Sequence, residues 1–382
     1  MGPLKGVRVL EMSNIGPGPF CGMLLSDLGA DVLRVDRLVP GDLGFAIDPR
    51  FDLLHRGKQA IAIDLKHPDG VATVRGLARQ ADLLIEGYRP GVMEKLGLGP
   101  DPLLSDNPRL VYGRMTGWGQ QGSYAAMAGH DINYIGVAGA LAGIGPKDGD
   151  PVPPLNLVGD FAGGSLYLAM GLLAALLETR RSGRGQVVDA AMVDGISSMM
   201  AMHLGFRQAG IWNLERGSNA VDGGAPYYAC YRTKDGKYMA AGAVELRFYR
   251  IMIDRLGLDL TDLPDRDNPA CWDELRAILQ ERFASRTRGE WTEIFDGSDA
   301  CVTPVYDLDE APDSPLAQER GLFLKPGGIT MPAPAPRFGR TPPAEPEGTV
   351  DPASATHISL ADWGIGPAEI SRLAADGIIP PS

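Results

Sequence analysis

Two side chains in this sequence stand in settings suited to proton transfer. His130 lies in MAGHDINY, after the small residues Ala128 and Gly129 and beside Asp131, and it is one of only five histidines, with His55, His67, His203 and His357. Asp160 lies in PLNLVGDFAGG, ahead of a long apolar run. An imidazole and a carboxylate can each take or return a proton. No H-E-x-x-H spacing accompanies them, which turns the pair away from a zinc site, and no G-x-S-x-G elbow points to a serine nucleophile. The competing structural reading makes His130 an ordinary histidine and Asp160 the N-cap of the helix behind it, a role that can coexist with catalysis.

Basic residues collect where the early strands end: Arg34 and Arg37, then Arg56, Lys58 and Lys66, then Arg89 and Lys95. In open parallel sheets ligands bind beyond the carboxyl ends of the strands, so these charges can converge on phosphates. Solvated surface side chains are the equally weighted alternative. Gly16-Pro17-Gly18 follows a strand and Asp36 ends the next, the outline of a dinucleotide site. Cys21 occupies the place of the third glycine, however, and Pro17 and Pro19 lack the amide hydrogens that a pyrophosphate uses. The turn is therefore expected to bring backbone close to some other ligand.

The elements around these residues follow from hydrophobic periodicity. KGVRVLEM, the turn SNIGPGP, FCGMLLSDLGA and DVLRVDR read as strand, loop, helix, strand. The same grammar recurs in QAIAIDLK, DGVATVRGLARQA and DLLIEGYR, and again in RLVYGRMTGWG, which predicts an α/β fold with a parallel, doubly wound sheet. After Asp160 the pattern changes to long helical runs, FAGGSLYLAMGLLAALLETRR and then the hairpin-like GRGQVVDAAMVDGISSMMAMHLGFRQAG. RGSNAVDGGAPYYACYRTKDGKYMAAGAV, with its KDGK turn, predicts a small sheet in a second, α+β domain. The expected division is a large domain over 1–200, a linker at 201–217, a small domain over 218–315, a return linker at 316–324, and a C-terminal segment, 325–382. The Pro-dense stretch Gly328 to Ile358 is expected to run extended, and LADWGIGPAEISRLAADGII to form a last helix.

Composition narrows the partners. The 382 residues, 44% hydrophobic and 22% charged, suffice for one large core or two smaller ones. A formal net charge of −12 argues against nucleic acid and anionic lipid. The longest apolar stretch, Leu166 to Leu177, is too short for a bilayer and reads as a buried helix, so no membrane span is expected. Cys21, Cys230, Cys271 and Cys301 show no C-x-x-C spacing and no secretory signal precedes them, which predicts a reducing, cytoplasmic setting. Met23, Met115, Met170, Met192, Met199, Met200 and Met202 suit either an adaptable apolar binding surface or core filling.

The strings GHDINY (129–134), PPLNLVGD (153–160), GQVVDAAMVDG (185–195) and DGGAPYY (222–228) together resemble the family III CoA-transferases, and within them the α-methylacyl-CoA racemases. IGPGP, DLGADVLRVDR, IEGYRPGV, MTGWGQ and DACVTPV extend the resemblance over nearly the whole chain. It implies a Rossmann-like large domain completed by the C-terminal segment, a small domain between, and a homodimer of interlocked subunits. It further implies an acyl-CoA thioester substrate with no added cofactor and no metal. His130 and Asp160 match the two acid/base groups, Glu245 in GAVELRFY matches the carboxylate that orients the histidine, and the backbone amide at Asp131 matches the donor to the enolate oxygen. For the CoA portion the resemblance points to Arg37, Ile63, Asp64, Leu65, Lys66, Gly87, Tyr88, Arg89, Lys95, Gly129, Asp131, Ile132, Asn133 and Tyr134. Lys95 stands where the racemases lead one to expect Arg, and Leu246-Arg247 replaces their Pro-Gln. The alternative within the family is a CoA-transferase, with an aspartate at Asp160 as nucleophile.

Overall fold

A computed structural model of the chain describes residues 2–39 and 47–381. It divides into two compact units, Met1–Ala138, Leu155–Met199 and Arg320–Ser382 in one, Gly139–Pro154 and Met200–Glu319 in the other. In chain order the first unit contains β1 (Arg8–Met12), α1 (Pro17–Asp27), β2 (Asp31–Arg37), β3 (Gln59–Ile63), α2 (Pro68–Ala78), β4 (Leu83–Glu86), α3 (Val92–Lys95), α4 (Pro100–Asp106), β5 (Val111–Thr116) and α5 (Asp131–Val137). A π-helical stretch, Leu157–Leu166, then continues into α6 (Tyr167–Ser182), followed by β6 (Val187–Ala191) and α7 (Met192–Met199).

The six strands are ordered β3-β2-β1-β4-β5-β6 and all pair in parallel. This is the doubly wound order, and the winding reverses between β1 and β4, the place at whose carboxyl ends such sheets bind ligands. The stretch read as hairpin-like, GRGQVVDAAMVDGISSMMAMHLGFRQAG, instead supplies one strand followed by helices; the strand, β6, pairs along the free edge of β5 from Tyr112↔Val187 to Thr116↔Ala191. Leu10, Leu33, Ile61 and Leu84 of the strands share one core with Leu360, Trp363, Ile370, Leu373 and Ile378 from the C-terminal end. That end carries two helices, Pro352–Asp362 and Pro367–Ala375, rather than the single one expected. Gly364 at φ 82 and Pro367 at a helix start divide them.

Leu157–Ser182 forms 26 continuous helical residues, the one helix among the described residues long and apolar enough by length and composition to cross a membrane. The helical run expected over 161–181 thus begins earlier, at Leu157, and the stretch Leu166 to Leu177, expected to be buried, is buried along one side only. Leu168 and Leu172 lie against the sheet at Gly113, while Leu166, Met170 and Leu177 are exposed along another side. Its start is fixed by backbone contact, since a Cβ at Gly195 of α7 would fall 2.0 Å from the Gly163 carbonyl oxygen. Only glycine permits that approach.

The second unit contains α8 (Ala201–Gln208), β7 (Tyr228–Arg232), β8 (Tyr238–Gly242), α9 (Leu246–Leu256), α10 (Trp272–Ala284), α11 (Arg288–Phe295) and β9 (Val302–Val305). The strands form an antiparallel sheet, β7-β8-β9, over a core including Tyr231, Met239, Tyr249, Phe283 and Trp291. Two boundaries differ from expectation. Residues 201–217 include a helix, and Gly139–Pro154 belongs to this unit because Arg216 donates to the carbonyls of Ala142 (2.8 Å) and Pro146 (3.2 Å). The unit also runs to Glu319, so the return to the first unit falls at Arg320 rather than at residue 325.

Candidate functional site

The geometry around Asp160 is set by a neighbouring carboxylate. Asp131 is buried, and its Oδ2 accepts the amide hydrogens of Gly159 (2.6 Å) and Asp160 (2.8 Å). Those are orphan donors at a helix start, so Asp131 performs the capping that the sequence suggested for Asp160. The Asp160 carboxylate is left for other work. Asn156 Nδ2 donates to Asp160 Oδ2 at 3.1 Å, and Gly16 presses against the same oxygen, where a Cβ would stand 3.2 Å away. Gly16 also has φ 68, so both backbone and space call for glycine. The IGPGP turn thus comes close to the Asp160 carboxylate. Burial pushes the Asp160 carboxyl above the ordinary range; the Asn156 hydrogen bond opposes this, Asp131 adds to it, and His130 pulls it down.

His130 is the exposed N-cap of α5. Its amide donates to Asn133 Oδ1 at 3.0 Å, and Tyr134 OH donates to the Gly129 carbonyl at 2.5 Å, which clamps the backbone on both sides of the junction. Tyr134 packs edge-on against Trp118, ring centroids 4.7 Å apart. Asp131 is the first residue of α5, so its amide hydrogen has no acceptor within the helix. Burial, then the negative charge of Asp160, push the Tyr134 phenol up to about 12 against the pull of Arg89. Tyr134 therefore stands in the fields of both the candidate acid/base group and the basic cluster.

That cluster divides into two sets. Arg34, Arg56 and Lys58 are buried and paired, Arg34 with Asp36 (2.6 Å), Arg56 with Asp27 (2.6 Å) and Lys58 with Glu11 (2.6 Å). They are structural charges, contrary to the expectation that they converge on a ligand. Lys58 Nζ also donates to the Pro19 carbonyl at 2.9 Å, anchoring α1 just beyond Gly16. Arg37, Lys66, Arg89 and Lys95 are exposed. Arg37 lies with its guanidinium carbon 5.8 Å from the Tyr88 ring centroid, so the ends of β2 and β4 meet across β1. Ile63 is fully buried and Leu65 packs on the core, which leaves their backbone for any ligand contact. Asp64 Oδ1 accepts the Lys66 amide at 2.8 Å, holding the turn that presents Lys66. Gly87, Tyr88 and Arg89 follow β4 directly, Ile132 and Asn133 are exposed on α5, and Lys95 ends α3.

Glu245 belongs to the second unit, exposed at the N-cap of α9, followed by exposed Leu246 and Arg247. Met23, Met115 and Met192 are core residues, whereas Met170, Met199 and Met202 are exposed. Sequence reasoning did not single out Asn156, although it lies four residues before Asp160 in the string that drew attention to the aspartate. Among the described residues no group of three or more His, Cys, Asp or Glu side chains is placed to hold a metal ion.

The chain resembles known proteins along nearly its whole length. The chain is 45% identical to alpha-methylacyl-CoA racemase of Mus musculus over 379 residues, 98% of this chain and 97% of that one. It is 44% identical to the Homo sapiens protein of the same name over 381 residues, with the same coverage. A CAIB/BAIF family protein from Brucella suis superimposes with a TM-score of 0.79 at 25% identity, covering 95% of this chain and 99% of its own. The sequence pattern of CoA-transferase family III matches residues 4–357, and the chain belongs to that family.

Proposed function

We propose that this protein is an isomerase that interconverts (2R)- and (2S)-2-methylacyl-CoA thioesters. The observation that carries the reading is the pairing of His130 with an Asp160 carboxylate relieved of capping by Asp131. The racemases from mouse and human, similar over nearly the full chain, support it. Removing the proton α to the thioester carbonyl leaves an enolate, and returning a proton to the opposite face inverts the centre. One group serves each face, and the free Asp131 amide at the start of α5 donates to the enolate oxygen. The thioester carries its own activation, so the reading calls for no metal and no redox cofactor.

The CoA portion lies over the strand ends, its phosphates on Arg37, Lys66, Arg89 and Lys95, and its adenine against backbone at Ile63 to Lys66 and Gly87 to Arg89. Arg89→Ala or Arg37→Ala removes a charge-assisted contact of roughly 1.5–3 kcal/mol, so KM for acyl-CoA should rise about ten- to hundredfold with the fold intact. Unchanged KM for both variants at low salt would show that these arginines do not touch the substrate. The second reading, transfer of CoA between carboxylic acids through Asp160, draws on the family match.

The working form is an interlocked homodimer. Its support is the exposed stripe Leu166, Met170 and Leu177 on one helix, apolar surface of the kind that a second subunit covers. Light scattering should give twice the chain mass down to low micromolar concentration, since interlocked chains cannot part while folded; a native monomer would end the proposal. A cytoplasmic location completes the reading, supported by four cysteines that are all free thiols.

A further inference from the structure

Glu86 ends β4 and is 1% exposed, yet no step above uses its carboxylate. In the parallel pairing of β4 with β5 it stands opposite Arg114, so both side chains leave the same face of the sheet. Arg114 Nε donates to Glu86 Oε1 at 3.0 Å. The second oxygen, Oε2, accepts the Tyr88 amide hydrogen at 2.8 Å. Arg114 reaches onward through Nη1 to Glu94 Oε1, 2.9 Å away on α3, the short helix that ends at Lys95. One buried carboxylate thereby ties down the Gly87–Arg89 turn and, through a shared guanidinium, the helix beside it.

We infer that Glu86 is a positioning residue for the coenzyme end of the substrate, its carboxylate holding the Gly87-Tyr88-Arg89 turn and α3 in the arrangement that receives CoA phosphates. This rests on the reading of the strand ends as a CoA site. The groups facing Glu86 are Arg114 and Tyr112 of β5, Glu94 of α3 and Tyr88 of its own turn, with Asp189 of β6 on the far side of Arg114. Burial drives the Glu86 carboxyl from 4.5 up to about 7, opposed by the Tyr88 amide and Arg114 and assisted by Glu94. The native protein thus keeps a proton that the unfolded chain has already lost between those values. Stability falls as pH rises across that window, while the carboxylate that organises the turn is formed only toward its upper end.

Titrating the full chain with CoA from about pH 5.5 to about pH 8.5 tests this. Wild-type affinity should tighten roughly tenfold through neutrality beyond the change due to the ionisation of CoA itself, which every variant shares. Glu86→Gln should bind about tenfold more weakly at the alkaline end and lose that step, while kcat at saturating substrate changes by less than about threefold. Glu94→Ala, which also frees α3 from Arg114, should weaken CoA binding and move the step to lower pH, because a like charge beside Glu86 is gone. Wild-type affinity and an intact step in Glu86→Gln overturn the inference; if that variant does not fold, an unmoved step in Glu94→Ala does so. CoA binding that Arg89→Ala weakens but Glu86→Gln does not overturns this inference alone. A wild-type protein that binds no CoA overturns the functional reading and this inference with it.

Discussion

Replacing either His130 or Asp160 with alanine is expected to lower the rate of inversion of a 2-methylacyl-CoA by about 10²- to 10⁴-fold, the range for loss of one positioned proton-transfer group. Each turnover uses one group as base and the other as acid, so neither can be spared. Exchange of the α-hydrogen in deuterated water should be less symmetric. His130→Ala leaves Asp160 to wash deuterium into one enantiomer without inverting it, and Asp160→Ala leaves the mirror-image exchange to His130. Because Asp160 is held above the ordinary carboxyl range, the activity limb that reports its ionisation should lie at higher pH than for an exposed aspartate. A transferase behaves differently: Asp160→Ala alone is fatal, hydroxylamine traps an acyl group on Asp160, and His130→Ala keeps substantial transfer. Retained activity in His130→Ala, or a covalent CoA adduct on Asp160 by mass spectrometry, would sink the racemase reading.

The largest effect on stability should come from Arg56→Met. Arg56 is 1% exposed and meets Asp27 through two bonds, Nε to Oδ1 at 3.1 Å and Nη2 to Oδ2 at 2.6 Å, while Nη1 donates to the Pro332 carbonyl at 2.6 Å. Burial already pushes the Asp27 carboxyl upward, and the guanidinium is what draws it back. Without Arg56 that carboxylate is buried and unpaired, and the Pro-dense stretch that begins at Gly328 loses an anchor at Pro332. Removing one partner of such a pair costs about 3–5 kcal/mol. The deficit should shrink as pH falls, since the raised carboxyl can then take a proton in the native state. Denaturant midpoints across a pH series would read both effects, and a second change, Asp27→Leu, should recover much of the loss. A midpoint unmoved by Arg56→Met would mean that the pair is energetically neutral.

Much of this arrangement is legible along the chain because it depends on local spacing. Alternating strand and helix patterns from Arg8 to Thr116 dictate parallel pairing, and the KDGK turn at 234–237 closes the hairpin of β7 and β8. His130 and Asp160 stand out by residue type and small neighbours, and the strand-end arginines by position.

What the chain order does not reveal is which charges face water. Arg34, Arg56 and Lys58 read like Arg37, Lys66 and Arg89 until a distant segment covers them; the carbonyl that receives Arg56 lies 276 residues away. The same holds for Asp131, which reads as the neighbour of a histidine and caps amides 28 and 29 residues further on. Glu86 and Arg114, likewise 28 residues apart, meet only because β4 and β5 pair in register. Hydrophobic periodicity specifies which face of each element is buried, so the sequence determined the elements and the residue types at their ends. Desolvation and hydrogen-bond pairing depend on what packs over each end, so the tertiary structure alone decided which of those residues became structural and which stayed free to act.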